Sequence, residues 1–211
     1  MEKNDKMIDD HKQKQNYNER GNNYKEWLEH GERLLVSHSI LYDQYKIGWN
    51  QINSLIRKNG SATVKDFEEN GLFQDYEDSK LLWVALMLLS FGAECILKSL
   101  WLKKGNSLAV NGFYIGITDS KDRKEKSHVL VYLCKMNDIA LSVEEENVLM
   151  RLGKVSKSIG RYPISLKWEY DRIKETPIGT VSDFYWGHGD DVIIDGFLMK
   201  VKNNIILQKN N

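Results

Sequence analysis

Two charges stand alone in the most apolar stretch of the chain. Residues 81–101 read LLWVALMLLSFGAECILKSLW, contain no proline and carry only Glu94 and Lys98. Four residues apart, the two lie one helical turn from each other on one face. On an exposed helix such a pair is worth about 0.2–0.5 kcal/mol. A helix that is apolar all round must be buried by its neighbours, and there an unpaired charge is costly. Three outcomes are open: Glu94 and Lys98 close on each other, Glu94 takes a cation from His128 or Arg161, or the pair serves a ligand. On a later helix, Lys154, Lys157 and Arg161 follow one arc with Arg151 at its edge. That arc is either a solvated face or a set of phosphate contacts. His38 falls on an apolar stripe, where a lone histidine is expected to be packed and hydrogen-bonded.

Other chemistries are absent from the sequence. No glycine-rich turn precedes Lys-Ser or Lys-Thr, no His-Glu-x-x-His or Cys-x-x-Cys occurs, and no Gly-x-Ser-x-Gly is present. Phosphate loops, common metal sites and a serine nucleophile elbow are therefore not expected, and no cofactor is implied.

The elements that must position these residues are helical. Trp27, Gly31, Leu34, His38, Leu41, Tyr45, Gly48, Ile52 and Leu55 recur at steps of four and three, the stripe of one long helix starting at Lys25 or Glu32. Arg57-Lys58-Asn59-Gly60 ends it. Gly31 and Gly48 either bend it or let a neighbour approach. Residues 61–79 form a polar connection with a short helix or turn, and Asp78 or Ser79 is placed to cap the apolar helix. Asn111-Gly112 between apolar flanks predicts a small hairpin. A third helix opens at His128. Ser142-Val143-Glu144-Glu145 is a capping box for a fourth, which Gly160 and Pro163 end. Residues 166–189 read as a long ordered loop rich in aromatics, and residues 190–207 as a last helix.

The chain has 211 residues, 41% hydrophobic and 28% charged, with 30 basic and 30 acidic side chains. That balance removes a global positive charge as an argument for nucleic-acid binding and leaves only a local basic face. Cys95 and Cys134 are too few for a disulfide framework or zinc site and read as buried thiols. The N-terminus lacks the apolar core of a signal peptide. The apolar run breaks at Glu94, short of the about 18 residues a membrane span needs. A cytoplasmic protein without membrane association is expected, with residues 1–23 a disordered tail and 24–208 a single domain.

The order of these elements resembles the HEPN superfamily of small helical domains. The resemblance is carried by the long first helix, GAECILKSLW with Glu94 and Lys98, His128 and Leu130 opening the next helix, and Arg161-Tyr162-Pro163 closing the fourth. It covers residues 27–163. It implies an all-α, up-and-down bundle of four to five helices with a long inserted loop, and residues 164–208 as a C-terminal addition. It also implies a ligand site near Glu94, Lys98, His128, Arg161 and Tyr162, with Lys154 and Lys157 on phosphate, and a homodimer. Many such domains are metal-independent ribonucleases with Arg, four to six residues, then His at the end of the fourth helix. After Arg161 this chain reads YPISLKW, without histidine. The resemblance therefore implies a non-catalytic module binding nucleotide or RNA phosphate in a bacterial stress or phage-defence setting. A ribonuclease toxin using Arg33-x4-His38 or Arg123-x4-His128 is one alternative. A structural adaptor bound to a cognate protein is another.

Overall fold

A computed structural model describes residues 2–117, 128–157, 173–176, 179–182, 186–187 and 189–208. The chain is mainly α-helical, and the five expected helices are present: α2 (Tyr24–Asn59), α5 (Leu82–Lys103), α6 (Leu130–Met136), α7 (Val143–Lys157) and α8 (Asp190–Leu207). Three more helices join them, α1 (Glu2–Gly21), α3 (Val64–Glu69) and α4 (Phe73–Asp78). The predicted hairpin forms from β1 (Ala109–Val110) and β2 (Phe113–Tyr114), with Asn111 and Gly112 both at positive φ in the turn. Asparagine and glycine reach that backbone region at low cost. A 3-10 turn at Ser79–Leu81 leads into α5. Ser142 and Glu145 cap α7 reciprocally, each side chain accepting from the other's backbone N–H at 3.2 and 2.9 Å.

The described chain divides into two compact units. The first comprises residues 1–32, 92–153 and 185–211. Its buried residues come from the second half of α5 (Ala93, Ile96, Leu97, Leu100), the hairpin (Leu108), α6 (Leu130, Leu133), α7 (Leu149, Leu152) and α8 (Phe197, Val201). Gly31 belongs to this unit. A Cβ there would stand 3.0 Å from the Gly92 carbonyl oxygen and from Ile96 Cγ1, so glycine is what allows α2 to approach α5 so closely. The second unit comprises residues 33–91 and 154–184. It contains a cluster of Ile52, Leu55 and Phe67 with Ile56, Ala62, Leu72 and Tyr76 packed against it. The Phe67 and Tyr76 rings stack at 5.1 Å.

The segment expected to be a tail is helical, and tertiary contacts hold its end. Asn22 Oδ1 accepts from the backbone N–H of Leu108 and Ala109 at 2.7 and 2.9 Å, Asn22 Nδ2 donates to Ala109 O at 2.7 Å, and Asn18 Oδ1 accepts from Gly112 N at 2.9 Å. Two asparagine side chains thus satisfy hairpin backbone groups that would otherwise need water. Their polarity suggested a solvated tail, yet it matches an unpaired backbone. Asp78 and Ser79 do not cap α5, because Asp78 accepts from Gln74 Nε2 at 2.8 Å and the Ser79 hydroxyl donates to Tyr76 O at 2.7 Å. The aromatic loop expected at 166–189 contains an antiparallel strand pair, β3 (Ile173–Thr176) with β4 (Gly179–Ser182), Thr176 facing Gly179. Gly160 and Pro163 lie outside the described residues. The stretch Phe73–Lys103 is long and apolar enough to cross a membrane, and half of its most apolar window is buried inside the protein.

Candidate functional site

Glu94 and Lys98 sit on α5 where the sequence places them, one turn apart and buried, Lys98 at 2% exposure. The Lys98 ammonium donates to Glu94 Oε1. The same oxygen faces His128 Nδ1 at 2.9 Å. Glu94 therefore does two of the things open to it at once: it closes on Lys98 and it takes His128. His128 precedes α6, and its side chain keeps 51% of its surface exposed. With the carboxylate at Nδ1, the neutral ring carries its proton on that nitrogen and leaves the Nε2 lone pair free of it.

The pair is surrounded by aromatics that sequence reasoning missed. The Lys98 ammonium lies 5.2 Å from the Trp27 ring centroid and 5.3 Å from that of Tyr114, within cation–π range. The two rings stack at 6.2 Å. Trp27 is fixed by donating from Nε1 to Gly21 O at 2.9 Å, and Tyr114 is delivered by the hairpin. The available signal was weak: Trp27 opens the α2 stripe, but nothing local ties residue 114 to residue 98. The Tyr114 hydroxyl is buried within reach of the Lys98 ammonium.

Burial by itself would push the Glu94 carboxyl up. The His128 hydrogen bond and the Lys98 charge outweigh it and hold the pKa below the ordinary carboxylate value. Burial would likewise strip the proton from Lys98, but the Glu94 charge overrides it and raises the pKa above the usual lysine value. Each partner stabilises the charged form of the other. Lys98 is consequently a fixed cation, unsuited to act as a nucleophile or base near neutrality. Its burial also keeps it from a bulk ligand. Burial raises the Tyr114 hydroxyl, with Lys98 opposing the shift. It pushes the two thiols up as well, Cys95 to about 11 and Cys134 to about 12.

The remaining candidates separate. Arg161 and Tyr162 lie outside the described residues, as does the side chain of Lys157. Lys154 belongs to the second unit, is half-buried and is engaged in interactions there. Arg151, at the edge of the expected basic arc, is not a solvated cation: its Nη2 donates to the buried Asp190 Oδ1 at 2.6 Å. Asp190 Oδ2 accepts from Gly187 N at 2.7 Å, so one carboxylate organises the start of α8, where Gly189 takes a φ of 102°. His38 is packed as expected, its Nδ1 2.9 Å from Ala85 O and its ring stacked on Tyr42 at 5.3 Å. Among the described residues no three His, Cys, Asp or Glu side chains are placed to share a metal ion.

Fold and site together define a helical protein with a buried carboxylate that anchors one lysine inward and one histidine outward. Comparison of the chain with protein-family models, with curated proteins and with solved structures yields no match.

Proposed function

We propose that the chain is a HEPN-like module that binds nucleotide or RNA phosphate without cleaving it. In this reading His128 is the solvent-facing contact, and Glu94 and Lys98 are the residues that position it. The carrying observation is the Glu94–His128 hydrogen bond at 2.9 Å on a ring that stays half exposed. Glu94 holds the ring by Nδ1 and turns Nε2 to solvent, from where the imidazolium form donates to a phosphate oxygen. Lys98 neutralises Glu94, so the site does not present a net negative charge to an anionic ligand. The family resemblance also implies phosphate contacts at Arg161, Tyr162, Lys154 and Lys157, and the reading rests on His128 without them. Absence of histidine after Arg161 supports binding over cleavage. The same reading makes the protein a cytoplasmic homodimer with a cognate protein partner in bacterial stress or phage defence.

The test is a titration with nucleotides and short RNA at low and moderate salt, since phosphate contacts are strongest at low salt. Binding should saturate at low salt and weaken about tenfold in His128→Ala, the loss of one charge-assisted hydrogen bond. No saturable binding at low salt rejects the reading in favour of an adaptor.

One observation favours a second reading, a metal-independent ribonuclease. A carboxylate on Nδ1 holds an imidazole in the tautomer a general base needs, and Arg123 precedes His128 by five residues. His38 is the poorer candidate, because the Ala85 carbonyl at its Nδ1 fixes the same tautomer without a negative charge to stabilise the imidazolium. Cleavage of total RNA in EDTA, lost in His128→Ala and kept in His38→Ala, supports this reading. No cleavage at high protein concentration rejects it.

A further inference from the structure

The outer face of α8 carries apolar residues at a seven-residue repeat. Val192, Met199 and Ile206 are exposed at 75, 65 and 77%. Gly196 and Asn203, both exposed, fall between them and complete a stripe with steps of four and three. Such a repeat is the seam of a helix pair. The opposite face of α8 is already committed to the core of its own unit through Ile194, Phe197, Leu198, Val201 and Ile205. The outer stripe is left largely to solvent.

Gly196 adds an independent sign. A glycine inside a helix weakens it relative to alanine, and among the described residues nothing lies within 4 Å of where a Cβ of this one would stand. A glycine on an exposed helix face, flanked by Val192 and Met199, leaves a notch for a side chain from a facing helix.

We propose that this face pairs with the same face of a second copy of the chain, the two α8 helices running antiparallel. Met199 of each helix then lies over the Gly196 notch of the other. In an antiparallel pair the same flank of each helix meets. Asp195 and Lys202 share that flank, seven residues apart and of opposite sign. The two-fold axis therefore sets Asp195 of each chain beside Lys202 of the other, twice, as opposite charges. Lys202 lies 3.2 Å from Glu32 in its own chain and is only partly exposed. An ammonium has three donors, so the Glu32 contact leaves donors for a second carboxylate. A second copy is thus the occupant that the charge pattern fits. The proposal specifies the dimer named above but rests on α8 alone.

Sedimentation equilibrium of the full chain tests it. A single helix pair is a small interface, so dissociation roughly in the micromolar range is expected. Met199→Glu puts a charge in the seam and should raise the dissociation constant more than about tenfold. Asp195→Lys or Lys202→Asp alone should weaken pairing by about threefold, and the double exchange should recover it. These side chains are surface groups, and circular dichroism with a thermal melt verifies that each variant folds. A chain monomeric up to roughly 0.5 mM overturns the proposal, as does a dimer that survives Met199→Glu. A double exchange no tighter than its singles overturns the antiparallel register. Nucleotide titration of the Met199→Glu monomer tests the His128 reading separately, so failure of one is distinguishable from failure of the other.

Discussion

Replacing Lys98 by methionine keeps most of the side chain's length and removes its charge. The cost follows from what remains. Glu94 is 9% exposed and, among the described residues, keeps only His128 as a partner, itself half in solvent. Breaking a buried ion pair on one side costs about 3–5 kcal/mol, because the surviving charge is left uncompensated. The remaining histidine argues for the low end, about 3 kcal/mol. For a chain of this size that is a fall in Tm of roughly 6–12 °C. Removing both charges, as in Glu94→Leu/Lys98→Met, should recover most of the loss, since an apolar pair of similar volume often replaces a buried ion pair at little cost.

The pH dependence distinguishes this account from simple loss of packing. In the native protein Glu94 titrates below its ordinary 4.5, so its contribution is present above that pH and is lost as pH falls through the lowered value. Lys98 titrates above its ordinary 10.5, so its contribution is present below that pH and is lost as pH rises through the raised value. Between these limits the pair is insensitive to pH. In Lys98→Met burial, the largest influence on Glu94, is opposed by His128 alone, and the carboxyl moves up from its native value. The variant should therefore regain stability relative to the native chain between pH 7 and pH 5, as the carboxyl takes a proton. Urea unfolding followed by circular dichroism at both pH values measures this. A single variant within about 0.5 kcal/mol of the native chain, or a double variant as unstable as the single, refutes the reasoning.

Three further outcomes are expected. Gly31→Ala forces a methyl against the Gly92 carbonyl and Ile96, and should cost about 1–3 kcal/mol in the same urea assay. Asn22→Ala orphans two backbone N–H groups and one carbonyl of the hairpin, for a loss of about 2–4 kcal/mol and earlier hydrogen exchange at Leu108 and Ala109; Asn22→Asp, which keeps the acceptor, should lose less. With Cys95 and Cys134 raised to about 11 and 12, neither thiol should react with a thiol reagent at pH 8 until urea unfolds the chain. Stability should also decline as pH rises from 9 towards 11, because only the unfolded thiols ionise there.

The sequence by itself determined where five of the helices are. The α2 stripe, the apolar run of α5, the Ser142–Glu145 box and the Asn-Gly turn are local patterns, and local patterns are set by neighbours along the chain. The same holds for the Glu94–Lys98 contact, whose partners sit one turn apart, and partly for His128, which opens the following helix. Polarity misled at residues 1–23: Asn18 and Asn22 look solvated until the hairpin offers them unpaired backbone groups. Only the tertiary structure decided that Trp27 and Tyr114 flank Lys98, that Arg151 is paired to Asp190 and not open to solvent, and that one face of α8 is left bare. These contacts join residues tens of positions apart. No periodicity specifies them, because they follow from which buried charges and open backbone groups meet once the helices pack.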